Sequence, residues 1–200
     1  SYLNNGGPGG GNADMVDLFL VGLGLVIAGL TVISASVATT VLTSRRAGMT
    51  LMEAPIFSWS ALIASLSLIF TLPVMAGALI FVAVDHTYER ATFGATQGVN
   101  AWIGWAFTAP QIFIIAIPTL GILAQIVATM TRGKQPLRAG LFVGVGLMSV
   151  TVIGSVTQSS FSANFSGGLS EIAKSLIPCL FFNAFSILGV LVVLGVCLLA

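Results

Sequence analysis

Five long apolar runs, almost free of charged side chains, dominate this chain and leave few options for its fold. A transmembrane helix needs about 20 consecutive, mostly apolar residues. A transmembrane β-strand belongs to alternating segments of about ten residues, and these runs are longer and show no period of two. We therefore predict an all-α integral membrane protein with five spans, at about residues 15–42, 55–84, 101–130, 137–158 and 172–199.

The composition agrees with a chain that lies mostly inside a membrane. Hydrophobic residues make up 56% of the 200 and charged residues only 6%, with a mean hydropathy of +1.06. This leaves too little polar surface to cover a water-soluble globule. Residues 1–14 are rich in glycine and predict a flexible outer segment, and residues 15–200 predict a single transmembrane helical domain. No signal-peptide pattern is present. The chain starts at Ser1 without a methionine, so we expect a processed chain or a piece of a longer one.

Lysine and arginine concentrate in the loops on one side of the predicted spans. The loops after the first and third spans hold five basic residues, and the loops on the other side hold two. Because short cytoplasmic loops carry an excess of basic residues, this asymmetry predicts an outer N-terminus and an inner C-terminus. The five basic residues are Arg45, Arg46, Arg132, Lys134 and Arg138, and the two are Arg90 and Lys174.

The polar groups within the spans are amides and hydroxyls. Functional groups in membranes are usually ionisable side chains, and the predicted spans contain none away from their ends. Amides and hydroxyls can hydrogen-bond between helices, but they do not relay protons by titration or bind a redox metal. The only histidine, His86, falls in a predicted outer loop, where we expect it to be solvated. Cys179 and Cys197 lie about 27 Å apart along one predicted helix and cannot pair with each other.

Small residues recur at spacings that are typical of close helix packing. Glycines spaced along one helix face allow two helix backbones to approach each other closely. A glutamine side chain that faces lipid without a hydrogen-bond partner destabilises the fold. Both features predict that these helices contact other helices. The helix-packing candidates are Gly22, Gly29, Gly140, Gly144, Gln111 and Gln125.

Three stretches resemble one protein family. Residues 46–59 read RAGMTLMEAPIFSW, residues 71–79 read TLPVMAGAL shortly before Asp85, and residues 107–125 read FTAPQIFIIAIPTLGILAQ. These are similar to the loop and helix start, the Pro-Val-Leu-x-Ala helix and the Gly-His-Pro-Glu-Val-Tyr-Ile stretch of subunit I of the haem-copper oxidases, the cytochrome c oxidase family. The resemblance extends more weakly over essentially the whole chain. It implies the fourth to eighth helices of a twelve-helix subunit.

The resemblance also implies where the chemistry of the family would lie, and this chain carries other residues there. The family's copper ligands are three histidines, its proton carriers are a glutamate and a lysine, and a tyrosine completes the active site. Its haem-ligating histidines belong to helices outside the matched part. A methyl group, an amide, a hydroxyl or a phenyl ring cannot replace these groups. The matching positions hold Ala109, Gln158 and Ser159 for copper, Gln111 and Phe182 for protons, and Phe113 for the tyrosine.

The leading hypothesis is therefore a non-catalytic relative of oxidase subunit I that acts as a structural or accessory subunit. The alternative is a piece of an oxidase whose haem and copper ligands lie on other chains, and a channel or transporter is disfavoured because the spans hold no charged groups. We expect no catalytic residue, metal or cofactor on this chain, whereas the family's activity is oxygen reduction with proton translocation. The expected partners are lipid and other membrane subunits of a respiratory complex, not nucleic acid. The resemblance implies a bacterial plasma membrane or a mitochondrial inner membrane.

Overall fold

The computed structural model describes residues 13–44, 48–88, 112–130, 138–162 and 184–199. All the elements in these residues are helical, which confirms the all-α prediction for the described part of the chain. The described residues form five α-helices, with a 3-10 turn before the second helix and a π turn before the third. The elements are α1 (Ala13–Thr43), the 3-10 turn (Leu51–Glu53), α2 (Ile56–Thr87), the π turn (Ile112–Ala116), α3 (Ile117–Met130), α4 (Arg138–Ser162) and α5 (Phe185–Leu199).

The helices follow the predicted spans closely. The ends of α1, α2 and α4 lie within four residues of the predicted ends. The third and fifth predicted spans are described only from residues 112 and 184 onward. Within the described residues, two stretches are long and apolar enough to cross a membrane, Asp17–Thr43 and Ile56–Phe81. The other three apolar stretches are shorter, so five complete spans stay a prediction.

The second helix extends slightly beyond the predicted end of its span. The sequence placed the end of the second span at residue 84 and His86 in the loop beyond it, but α2 continues to Thr87. The backbone N–H of Tyr88 donates to the Val84 carbonyl at 3.0 Å and closes the last turn. Polar residues in this turn, including Asp85, end the apolar pattern without ending the helix, because the hydrogen-bond ladder does not require apolar side chains.

The second helix lies at the centre of the bundle. It packs against α1 on one side and against α3 and α4 on the other, and α4 packs extensively against α5. The buried core follows these contacts, so burial of apolar side chains positions α1, α3 and α4 against α2, and α5 against α4. The core residues are Leu23, Ile27, Ile56, Ala64, Leu68, Leu72, Met75, Ile117, Leu120, Ala124, Leu141, Val145, Met148 and Val193.

Several buried hydroxyls in this bundle donate to backbone carbonyls of their own helices. The Ser60 hydroxyl donates to the Phe57 carbonyl at 2.8 Å, and the Thr71 hydroxyl donates to the Ser67 carbonyl at 3.0 Å. Thr151, fully buried in α4, donates in the same way to the carbonyl of Met148. The sequence suggested hydrogen bonds between helices, but a serine or threonine reaches the carbonyl three or four residues earlier without help from a neighbour.

Candidate functional site

A widened turn lies at the start of the third helix, within the family-like stretch 107–125. The π turn Ile112–Ala116 leads directly into α3, and Pro118 is the second residue of that helix. A proline has no N–H to donate to the carbonyl four residues earlier and its ring crowds the preceding turn. A wider turn accommodates both effects. The sequence thus explains a backbone distortion at this point.

The predicted site positions on this stretch are described only in part. Ala109 and Gln111 lie outside the described residues, and Phe113 is placed in the π turn by its backbone alone. On the fourth helix, the backbones of Gln158 and Ser159 continue α4 as regular helix. Phe182 lies outside the described residues. The assignment of these positions to the lost metal and proton groups therefore stays a prediction.

The third helix lies against α2 through a glycine. Gly121 is buried, and a Cβ at this position would overlap the Ser60 hydroxyl and lie 3.4 Å from the Phe57 Cα. Ile117 and Ala124 are buried on the same helix. Gly121 therefore allows the widened turn and the following helix to approach the backbone of α2 closely.

One glutamine on α3 has a buried amide oxygen with no hydrogen-bond donor among the described residues. Gln125 is half-buried, and its Oε1 is a buried acceptor without a hydrogen-bond donor among the described residues. An unpaired buried acceptor destabilises the fold by about 1–3 kcal/mol. Gln111, the other glutamine candidate, lies outside the described residues.

Two of the four glycine candidates lie in a close contact between α4 and α5. A Cβ on Gly140 would lie 2.8 Å from the Val196 Cγ2, and one on Gly144 would lie 2.6 Å from the Val193 Cγ2. From the other side, a Cβ on Gly189 would lie 2.8 Å from the Gly144 carbonyl oxygen. The two backbones are thus close enough that a methyl group does not fit between them.

The other two glycine candidates have open space around them. Gly22 and Gly29 are exposed on α1, and no described atom lies within 4 Å of where their Cβ atoms would be. The same helix places Gly24 beside α2, where a Cβ would lie 3.5 Å from the Leu79 Cδ2. Gly22 and Gly29 therefore face away from the described part of this chain.

The described part of the first family-like stretch, residues 48–59, forms a joint between the loop, α2 and α4. The backbone N–H of Thr50 donates to a Glu53 carboxylate oxygen at 3.0 Å across the 3-10 turn. The Trp59 indole N–H donates back to the Leu51 carbonyl at 2.9 Å. Its ring meets the Phe142 ring edge-on, with centroids 5.3 Å apart. The joint fixes the loop to the start of α2 and ties α2 to α4.

Sequence reasoning missed the partners of this joint. The sequence of residues 46–59 predicts a likeness to the family, but it does not predict which contacts these residues make. The separation of Thr50 and Glu53 by three residues was a usable signal, because it matches a helix-start pairing. Phe142 gave no such signal, since it lies 83 residues from Trp59 in the sequence.

The described residues hold no group of three or more His, Cys, Asp or Glu side chains that could bind a metal. The prediction for copper rests on residue chemistry. Alanine has no donor atom, and a glutamine amide and a serine hydroxyl are much weaker copper ligands than imidazole. The residues predicted to match the family's copper ligands, Ala109, Gln158 and Ser159, thus do not fit a copper ion.

The sequence of this chain matches one family model and several curated relatives. The family model described as Cytochrome C and Quinol oxidase polypeptide I matches residues 2–196. The chain is 30% identical over 159 residues to a Streptomyces coelicolor protein named probable cytochrome c oxidase subunit 1-alpha, covering 73% of this chain and 28% of the relative. It is 29% identical over 141 residues to cytochrome c oxidase subunit 1 of Cereibacter sphaeroides, covering 68% and 24%.

A third relative, cytochrome c oxidase subunit 1 of a Bacillus species, is 32% identical over 118 residues, which cover 56% of this chain and 19% of the relative. The chain thus spans about a fifth to a quarter of the length of the curated relatives it matches. No solved structure matches it significantly.

Proposed function

Because the chain belongs to the cytochrome c and quinol oxidase polypeptide I family, an integral membrane family, we propose that it is a non-catalytic form of oxidase subunit I. In this role it is a structural or accessory membrane subunit of a respiratory electron-transport complex. Its site is the bacterial plasma membrane or the mitochondrial inner membrane, with the N-terminus outside and the C-terminus inside.

One observation carries this proposal. The positions that match the family's three copper-ligating histidines hold Ala109, Gln158 and Ser159, and the whole chain contains a single histidine, His86. Copper in such a site needs imidazole nitrogens, and one histidine near a helix end cannot supply three. Gln111 does not titrate and Phe113 has no hydroxyl, so the proton and tyrosine functions are missing as well.

The packing contacts support a structural role. Gly121 and Gly144 hold close contacts between helices, and Trp59 joins the loop, α2 and α4. These features maintain a helix scaffold and need no redox centre. A family member can thus keep the scaffold of the subunit while the residues at its reaction centre change to neutral groups.

A second candidate is a piece of a working oxidase whose haem and copper ligands lie on other chains. The chain's coverage of only 19–28% of its relatives favours it. In that case the assembly is an enzyme, although this chain contributes no ligand. A channel or transporter is disfavoured, because the predicted spans hold no charged group away from their ends.

The test is extraction from the native membrane in mild detergent, followed by sizing and mass spectrometry. We expect the chain to travel with other membrane subunits. If one of these carries a complete set of copper and haem ligands and its oxidase activity survives deletion of this chain, the accessory role is supported. Loss of all activity on deletion favours the second candidate. A lone, monodisperse, long-lived monomer would contradict both.

A further inference from the structure

We draw no further inference here: the strongest candidate, the buried amide oxygen of Gln125 on α3, belongs to the site already described, and nothing among the described residues shows which donor would reach it.

Discussion

Replacing Gly144 with alanine should separate α4 from α5. The new Cβ would lie 2.6 Å from the Val193 Cγ2, 3.1 Å from the Gly189 carbonyl oxygen and 3.2 Å from the Val193 nitrogen. Carbon atoms pack at about 3.5–4.0 Å, so the helices must move apart by about 1 Å. Two of the three neighbours are backbone atoms, and the valine side chain is stiff at χ1, so little of this strain can relax locally.

The magnitude follows from two opposing effects. Overpacking a close contact costs about 1–3 kcal/mol, whereas glycine to alanine in a helix gains up to about 1 kcal/mol in propensity. Gly146→Ala is the matched control, because it lies on the same helix and its Cβ would meet nothing within 4 Å. Gly144→Ala should therefore be about 1–3 kcal/mol less stable than Gly146→Ala.

The assay titrates the protein in mixed detergent micelles with sodium dodecyl sulfate. Circular dichroism monitors the loss of helix, and the titration gives the free energy of unfolding. Measured in a Val193→Ala background, Gly144→Ala should cost less than in the parent chain, because the nearest of the three clashing atoms is already gone. Equal stability of the two alanine variants, within about 0.5 kcal/mol, would refute the close contact between these helices.

Three further predictions concern the joint, the buried amide and the orientation. Trp59→Phe should lower the free energy of unfolding by about 0.5–1.5 kcal/mol, because it removes the hydrogen bond to the Leu51 carbonyl and keeps an aromatic ring; no change in the same titration would show that the bond is not formed. Gln125→Met should raise the stability of the isolated chain by about 1–3 kcal/mol, because it removes a buried acceptor without a donor among the described residues; a clear loss would reveal a donor elsewhere. In intact cells, a cysteine at Arg90 should react with an impermeant maleimide and one at Lys134 should not, and the opposite pattern would reverse the orientation.

The helices were predictable because their boundaries depend on local features. Long apolar runs set the spans, and the predicted start at Pro55 matches a helix that begins at Ile56. Proline is favoured at helix starts because its missing N–H is not needed there. The end of α2 was less predictable, since Asp85 and His86 end the apolar run while the backbone ladder continues to Thr87.

The contacts between helices were only partly predictable. Glycine spacing identified faces suited to close packing, but it could not distinguish Gly144, which meets α5, from Gly29, which meets nothing described. A spacing along one helix holds no information about the partner. The edge-on contact between the rings of Trp59 and Phe142 was unpredictable for the same reason, because it joins residues far apart in the sequence. At the candidate site, residue chemistry alone predicts that Ala109, Gln158 and Ser159 do not bind copper. The residues that surround them in space cannot be predicted from the local sequence.

In the proposed role this chain carries no redox centre of its own. The most direct measurement is the copper and haem content of the purified chain expressed alone, by elemental analysis and by the absorbance of the pyridine haemochrome. Because Ala109, Gln158 and Ser159 offer no imidazole, we expect neither copper nor haem in stoichiometric amount. One copper per chain, or haem absorbance that follows the chain through every purification step, would contradict the account.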